Sequence, residues 1–437
     1  MTNSPAKVAD SLVLTERPRV LHVTTTAMSL GWLLEPQLRA FDRAGFQVVT
    51  ASAPGAMADS LGDVGIEHIS IENFARSVDA RADLRAANEL RRVLLDLRPH
   101  IIHTHNPKPG VLGRVLARLT GTPIVVNTVH GLYAQESDSL RKKMPVYAVE
   151  RFAAAFSNAE LVQSVEDVKT LRRLGVPNER VHLLGNGIDL NRFKPTIQGR
   201  AQAQVLRSEL GIGRKVPVIG VIGRLVWEKG YEDIFAAVER LRESRGNGFE
   251  VVVVGPSEPG KRDAVDADVI DSMRSLGVHF LGERDDIASL LHLFDVFVLP
   301  SRREGFPRAA MEACAMGVPV IATDIRGCRQ VVAHGHNGFL YAPGSIDQLL
   351  DYIGRCLDDE VLRARFGALG VELARAQFDQ QRVIDRTVAV YRRLLNDGGL
   401  AHLVPAVSTD RYSTSIDLVD VAASNPSAAA RAAMPIL

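Results

Sequence analysis

The feature that most constrains the fold of this chain is an alternation between short apolar runs and longer amphipathic segments. VLHVTT (20–25), IIHTH (101–105) and PIVVNTV (123–129) are typical of buried strands, and segments of helical periodicity separate them. Strands that are apolar on both faces predict a parallel sheet covered by helices on both sides. The alternation weakens over NRFKPTIQGR (191–200) and returns at VPVIGVIGR (216–224).

A chain of 437 residues exceeds what one hydrophobic core usually organises, so the two runs of alternation predict two doubly wound, Rossmann-like α/β domains. FDQQRVIDRTVAVYRRLLND (378–397) predicts a long terminal helix, and the Ala/Ser/Pro-rich residues after it predict a disordered tail. The predicted limits are an N-terminal domain at 1–189 with strands from about residue 18, a linker at 190–205, a C-terminal domain at 206–377, a helix at 378–397 that packs back toward the N-terminal domain, and a tail at 398–437.

Composition excludes several classes of protein. A formal net charge of +1 argues against wholesale nucleic-acid binding, which normally requires a strong basic excess. Three cysteines without zinc-site spacing make a poor disulfide framework and favour a cytoplasmic location. The first residues lack the basic and apolar segments of a signal peptide, and no apolar run reaches the length of a membrane-spanning helix.

In open parallel sheets, ligands bind beyond the carboxyl ends of the strands, so two such domains would hold a ligand in the cleft between them. The stretch FVLPSRREGFPRAAMEACAMG (297–317) places Glu304 and Gly305 just after a strand and before a short helix. Free amides at a helix start suit an anion or a polar sugar, and Gly305 lets a ligand approach the backbone. Glu304 and Glu312 could accept hydrogen bonds from hydroxyls, although ordinary solvated glutamates are the alternative.

A second candidate loop is GRLVWEKGYEDIF (223–235), which follows the strand VPVIGVI. Arg224 and Lys229 bracket this loop, and two cations near a helix N-terminus can neutralise a pyrophosphate without a metal. An ordinary surface loop with basic residues is the alternative interpretation.

The histidines are weaker evidence of a functional site than the two loops described above. His130 stands at a strand end before Gly131, where it could donate to a substrate oxygen, or be a core histidine bonded to backbone. His103 and His105 share one face of a strand, but a metal site would need a third ligand, and we identified none from spacing.

Other motifs point away from metals and from familiar nucleotide folds. Asp266 and Asp268 resemble the Asp-x-Asp of some nucleotide-sugar enzymes, but they fall in a helical stretch where a solvated face is the simpler interpretation. No Gly-x-x-x-x-Gly-Lys-Ser/Thr occurs, and GIGRKV (211–216) has only the first two glycines of a dinucleotide fingerprint.

Taken together, the stretches resemble glycosyltransferase family four, which has the GT-B fold. The resemblance rests on GRL-x3-KG, VVVVG, FLG and E-G-F-P-x4-E in that order, and it extends from about residue 18 to 397. HTHNPKPGVLGRVLARLTG, NTVHGL and LLGNGIDLNRF are similar to the subgroup that builds bacterial capsular or exopolysaccharide units on a lipid carrier.

The resemblance implies a role for each matching residue. It implies four catalytic residues: His130, Arg224, Lys229 and Glu304. Arg224 and Lys229 would hold the donor diphosphate, Glu312 the ribose, and Glu304 the donor sugar. It implies further donor contacts from Gly31, Gly223, Arg284 near the nucleobase, Gly305, Phe306 and Pro307. Many members carry a Gly-Gly loop after the first strand, whereas TTTAMSLGW (24–32) has only Gly31.

The resemblance further implies a retaining, metal-independent transfer from a nucleotide-diphosphate sugar, with uridine diphosphate the commonest donor, and no cofactor. The acceptor would be a lipid-linked saccharide, reached in the cytoplasm at the inner face of the cell membrane. RKK (141–143) and RR (172–173) could then meet anionic head groups, unless they are ordinary solvated residues.

The sequence is also compatible with two other classes of protein. A nucleotide-sugar epimerase or phosphorylase could share the architecture without the family-four motifs. A catalytically silent carbohydrate-binding protein would have no need for Glu304 together with Arg224 and Lys229.

Overall fold

A computed structural model describes residues 16–75, 79–105, 107–134 and 138–405. The described chain divides into two compact units, and each unit contains separate stretches of sequence. Unit one contains the described residues up to Thr128, the segment Phe152–Ala159 and the described residues from Thr387 onward. Unit two contains Val129–Arg151 and Glu160–Arg386.

The first sheet contains seven of the strands in the described ranges: β1 (Arg19–Thr26), β2 (Gln47–Ala53), β3 (Glu67–Ser70), β4 (Ile101–His105), β5 (Ile124–Val129), β6 (Ala159–Val162) and β7 (Val181–Leu183). Their order is β3-β2-β1-β4-β5-β6-β7. From β1 the chain adds β2 and β3 on one side of the sheet, and then adds β4 to β7 on the other side. The topological switch point therefore lies between β1 and β4.

The second sheet contains the remaining six strands of the described residues: β8 (Val218–Ile222), β9 (Glu250–Val254), β10 (Val278–Phe280), β11 (Val296–Leu299), β12 (Val320–Thr323) and β13 (Gly338–Tyr341). The order is β10-β9-β8-β11-β12-β13, so the switch point lies between β8 and β11. Two doubly wound parallel sheets confirm the predicted fold class.

Helices separate successive strands as the alternation predicted. Those before β8 are α1 (Glu35–Arg43), α2 (Ala56–Asp63), α3 (Ala80–Leu97), α4 (Pro107–Leu119), α5 (Leu140–Ala154), α6 (Val165–Arg173) and α7 (Ile197–Glu209). Those after β8 are α8 (Tyr231–Arg245), α9 (Ala267–Ser275), α10 (Ile287–Leu293), α11 (Arg308–Ala315), α12 (Ile346–Asp358), α13 (Glu360–Gln377) and α14 (Gln380–Asp397).

The second sheet is covered on both faces, and strand β11 shows how. Phe297 and Leu299 belong to one buried apolar cluster, whereas Val296 and Val298 belong to another. Because successive strand side chains point to opposite faces, an all-apolar strand such as this one can be buried only between two layers of helices. The rigid sheet therefore fixes where the loops after β8 and β11 begin.

Regular structure occurs in the segments that were predicted as a linker and as a tail. The predicted linker, 190–205, contains the start of helix α7 at Ile197. Within the predicted tail, Ala401–Leu403 forms a short 3-10 helix with Leu403 buried, whereas residues 406–437 lie outside the described residues. In the described part of the chain, no helix has the length and apolarity required to cross a bilayer.

Candidate functional site

The loops that follow β8 and β11 leave the second sheet on either side of its switch point. Arg224 is two residues beyond the end of β8, and Glu304 lies in the loop after β11. Lys229 ends a short 3-10 helix, Trp227–Lys229, directly before α8. Parallel strands end at the same edge of a sheet, which is why side chains distant in sequence meet there.

Lys229 and Glu304 form an ion pair between these two loops. The Nζ of Lys229 lies 2.6 Å from Oε1 of Glu304, and the two side chains are 22% and 12% exposed. A charged hydrogen bond in such a shielded place is stronger than one on an open surface. The pair therefore holds a cation and an anion side by side at the switch point, and each keeps some access to solvent.

Arg224 has its own carboxylate partner. Its guanidinium lies 2.7 Å from Oε2 of Glu258, in the loop after β9, and Lys261 also pairs with Glu258. Hydrogen bonds from Lys261 and Arg224 lower the pKa of Glu258 against the opposing effect of its burial. The arrangement gives Arg224 a fixed direction while leaving its side chain about one-third exposed.

Gly223 places the backbone of the first loop directly beside Lys229. A Cβ at Gly223 would lie 3.7 Å from Cγ of Lys229, and the hydroxyl of Tyr231 donates to the carbonyl of Gly223 at 2.8 Å. The stem of Lys229 is therefore supported by backbone and by a buried tyrosine.

Gly305 is in close contact with the segment that follows β5. A Cβ at Gly305 would stand 2.0 Å from the carbonyl oxygen of His130, and one at Gly131 would stand 2.8 Å from Cα of Gly305. No side chain fits at either position without movement of the backbone. The contact between the two glycines brings His130 beside the loop that carries Glu304.

Burial determines the protonation state of His130. It lowers the pKa of His130 to about 4, so the ring is neutral at neutral pH. The Nδ1 of His130 lies 3.2 Å from Nε2 of Gln163. In a neutral ring one nitrogen donates and the other accepts, so His130 can donate to a substrate hydroxyl or oxyanion through the nitrogen that carries the proton.

Glu312 lies in helix α11, on a side largely removed from water. Burial raises the pKa of Glu312, while the positive charge of Arg308 acts in the opposite direction. Phe306 packs edge-on against Phe378, and its carbonyl accepts a hydrogen bond from Asn186 at 3.3 Å. The backbone from Phe306 to Pro307, which precedes Glu312, is therefore anchored on both sides.

Two other sequence-predicted residues have described contacts that do not include this group. Arg284 makes a two-pronged ion pair with Asp286 on an exposed loop, and the contacts described for it do not include Glu304, Lys229 or Glu312. Gly31 belongs to unit one, in a π-helical turn, Ser29–Leu34, where a Cβ would stand 2.5 Å from Cε of Met57.

Sequence reasoning missed several residues that hold this site together. Glu258 orients Arg224, and the segment Arg326–Gly327 contacts both the His130 segment and Glu304. The one available signal was position: RGCR (326–329) starts three residues after the end of β12, as GRL follows β8. The side-chain pairings themselves leave no local pattern in the sequence.

The third histidine that the sequence analysis lacked is His22, on β1. His22 and His103 are register neighbours in paired strands, and one nitrogen from each of His22, His103 and His105 lies within 4.8 Å of the others. His22 lies 3.1 Å from His105, and His103 contacts Thr128 and Tyr391 at 2.6 Å and 2.5 Å. These rings bind one another and their neighbours, so we interpret the group as a buried hydrogen-bond network.

Tyr391 provides a test of that interpretation. It is fully buried on α14, and Tyr391→Phe would remove the hydroxyl beside His103 without changing the shape of the ring. A buried polar atom left unpaired costs about 1–3 kcal/mol, so the free energy of unfolding should fall by that amount in urea denaturation. Tyr352→Phe is the control, because Tyr352 is only partly buried and stacks on Phe339 through its ring. Stabilisation of the wild type by Zn²⁺ would instead favour a metal site.

Family models match both halves of the chain. The model described as Glycosyl transferase 4-like domain matches residues 34–187, and that described as Glycosyl transferases group 1 matches residues 202–371.

Two curated relatives have a lipid-linked acceptor in their names. A UDP-Gal:alpha-D-GlcNAc-diphosphoundecaprenol alpha-1,3-galactosyltransferase of Escherichia coli is 32% identical over 313 residues, covering 70% of this chain and 79% of the relative. An N,N'-diacetylbacillosaminyl-diphospho-undecaprenol alpha-1,3-N-acetylgalactosaminyltransferase of Campylobacter jejuni is 25% identical, covering 77% of this chain and 88% of the relative.

Solved structures share the fold. Anabaena HepE in complex with UDP and glucose superposes with a TM-score of 0.71 at 21% identity, covering 86% of this chain and 100% of that one. Sucrose-phosphate synthase from Thermosynechococcus elongatus gives a TM-score of 0.72 at 21% identity, covering 87% of this chain and 100% of that one.

Proposed function

This chain belongs to the glycosyltransferase group 1 family, and we propose that it moves a sugar from a uridine diphosphate donor to a saccharide on a polyprenyl diphosphate, with retention of configuration. The observation that carries the proposal is the Lys229–Glu304 ion pair, with Arg224 at the neighbouring strand end. The names of the relatives in Escherichia coli and Campylobacter jejuni support the acceptor class.

Arg224 and Lys229 would bind the donor diphosphate. Breaking the bond between the sugar and the phosphate leaves extra negative charge on the departing oxygen, and two fixed cations stabilise that charge as it develops. Each already sits against a carboxylate, Glu258 or Glu304, so their positions are set before the donor arrives. Pre-set positions reduce the reorganisation that the reaction requires, and two cations can do the work for which other transferases use a divalent metal.

Glu304 would hold the donor sugar while Lys229 holds its phosphate. The 2.6 Å separation of Lys229 Nζ and Glu304 Oε1 lets the two groups address adjoining parts of one ligand. The backbone around Gly305 has no side chain in the way, and His130 beside it offers a neutral ring for a sugar hydroxyl. Glu312 would accept hydrogen bonds from the ribose.

The test is a transfer assay on the purified full-length protein. UDP-galactose, UDP-N-acetylglucosamine and UDP-N-acetylgalactosamine are each offered with a polyprenyl-diphosphate N-acetylhexosamine, and UDP release and the anomer of the product are measured. We expect acceptor-dependent UDP release, an α-linked product and unchanged rates in EDTA. A β-linked product would refute retention, and loss of activity in EDTA would refute the assignment of the metal's role to Arg224 and Lys229.

A lipid-linked acceptor requires the enzyme to reach a membrane surface, and we propose helix α5 as the contact. Leu140 and Met144 lie one turn apart on the same side of the helix and expose 75% and 61% of their surfaces, and Arg141 and Lys142 are exposed on the same helix. Exposed apolar side chains on one side of a helix, with basic ones near them, can insert at the surface of an anionic bilayer.

Binding to vesicles provides the test of this surface. The wild type should float with phosphatidylglycerol-containing vesicles, less with pure phosphatidylcholine, and less at high salt. The double variant Leu140→Asp/Met144→Asp should lose most of that binding, whereas Val205→Asp, which changes an exposed valine on α7, should not. Equal flotation of the two variants would show that α5 is not the contact.

A further inference from the structure

A contact network next to the candidate site centres on Arg326, three residues after β12. Its guanidinium donates to the carbonyl of Leu132 at 2.6 Å and pairs with Asp167 at 2.8 Å. Asp167 is fully buried in the first turn of α6, where the backbone N–H of Leu132 donates to its other oxygen at 3.4 Å. The peptide groups on both sides of Leu132 are therefore held by one buried ion pair.

This ion pair acts on the segment that carries His130. Gly131, one residue before Leu132, has a φ of +107°, and its backbone lies against Gly305. Holding Leu132 from both sides fixes the chain immediately after His130. The direction of the His130 ring is then set from its C-terminal side by Arg326.

The residue next to Arg326 contacts the other loop of the site. A Cβ at Gly327 would stand 2.4 Å from the carbonyl oxygen of Glu304 and 2.8 Å from its Cβ. One dipeptide thus touches the Glu304 loop with its glycine and the His130 segment with its arginine. We propose that Arg326 is a positioning residue for the transfer reaction, which sets His130 relative to Glu304 through Leu132 and Asp167.

A neighbouring pair of residues offers a matched control. Arg329 pairs with Glu166 at 3.2 Å, so it connects the same turn after β12 to the same first turn of α6. Its other described partner is Asp324, and its described contacts do not include residues 130–134. Neutralising the two pairs removes the same kind of interaction from the same two elements, and among the described contacts it is the Arg326–Asp167 pair that holds Leu132.

The experiment compares two neutral double variants, Arg326→Gln/Asp167→Asn and Arg329→Gln/Glu166→Gln, with the wild type. Each double variant removes both charges together, so that no charge is left buried and unpaired. Arg326→Lys is included because it keeps the charge but loses the planar fork that can donate in two directions. Melting temperatures, UDP affinity, kcat, KM and hydrogen exchange of residues 129–134 are measured.

We expect the Arg326/Asp167 variant to lose about 10²-fold in kcat, since misplacement of a reacting group by about 1 Å can cost that much. Its UDP affinity should stay within about threefold, because Arg224 and Lys229 are untouched. Exchange of 129–134 should accelerate at least about tenfold. Arg326→Lys should restore part of kcat. The Arg329/Glu166 variant should resemble the wild type in all of these measurements.

The kinetic part of this inference rests on the proposed function. Hydrogen exchange does not depend on activity, so it tests the positioning role separately from the proposed function. An inactive wild type would refute the proposed function, and exchange would still decide the positioning role. The positioning role would be overturned if residues 129–134 exchanged equally fast in the two double variants, or if both variants lost the same amount of kcat at matched melting temperatures. It would also be overturned if the Arg326/Asp167 variant lost UDP affinity and kept its kcat.

Discussion

Replacement of Lys229 by alanine is expected to weaken UDP binding by about 10–100-fold and to lower kcat/KM by about 10³-fold. A hydrogen bond between charged groups contributes about 1.5–3 kcal/mol, which accounts for the loss in binding. The further loss in rate arises because charge on the leaving diphosphate grows in the transition state, where a fixed cation matters most. Isothermal titration with UDP and initial rates with the donor sugar measure the two effects separately.

Unit one offers a matched control for the Lys229 prediction. Lys108 pairs with Asp83 at 2.6 Å with side-chain exposures of 16% and 24%, so this pair closely resembles Lys229–Glu304 in distance and burial. Lys108→Ala should therefore change stability by a similar amount and leave UDP affinity unchanged. If both variants bind UDP as the wild type does, the assignment of Lys229 to the donor diphosphate is wrong.

The fold was predictable because its signal is local and repeated. Runs such as VFVL at Val296–Leu299 are apolar at every position, and that alone requires helices on both faces of the sheet. The limits of single elements were less predictable. The NRFKPTIQGR stretch lacks a strand, which suggested a linker, yet Thr196 caps α7 there by accepting from the N–H of Gly199.

Loops of the candidate site were predictable for the same reason, whereas the pairings within it were not. Arg224 and Glu304 could be assigned to loops at strand ends because each follows an apolar run that is typical of a buried strand. Glu258 pairs with Arg224 across 34 positions, and Glu304 pairs with Lys229 across 75. Contacts between residues this far apart in the sequence depend on the order of strands in the sheet. The local patterns of a single sequence do not reveal that order. Arg326 and His22 went unrecognised for this reason.

Glu304→Gln is expected to separate binding from turnover. The substitution keeps the size of the side chain and removes the negative charge, so the sugar hydroxyls lose a charged acceptor and their fixed orientation. We expect kcat to fall by at least about 10²-fold. The affinity for UDP itself should stay the same or rise a few-fold, because Lys229 no longer shares its charge with a carboxylate at 2.6 Å.

Glu312→Gln is the matched comparison, since it makes the same chemical change in the same loop-and-helix segment. If Glu312 binds ribose, its loss should weaken UDP as well as the UDP-sugar, with kcat at saturation little changed. The two glutamates would then give opposite patterns: Glu304→Gln affects rate at constant UDP affinity, and Glu312→Gln affects affinity at constant rate. Identical patterns would contradict the division of the donor between them, and a Glu304→Gln variant with full kcat would remove the sugar-binding role. Lys229 would contact the phosphate and Glu304 the sugar, although the two side chains form one ion pair. The affinity for UDP, which lacks the sugar, should therefore be weakened by substitution of Lys229 and not by substitution of Glu304.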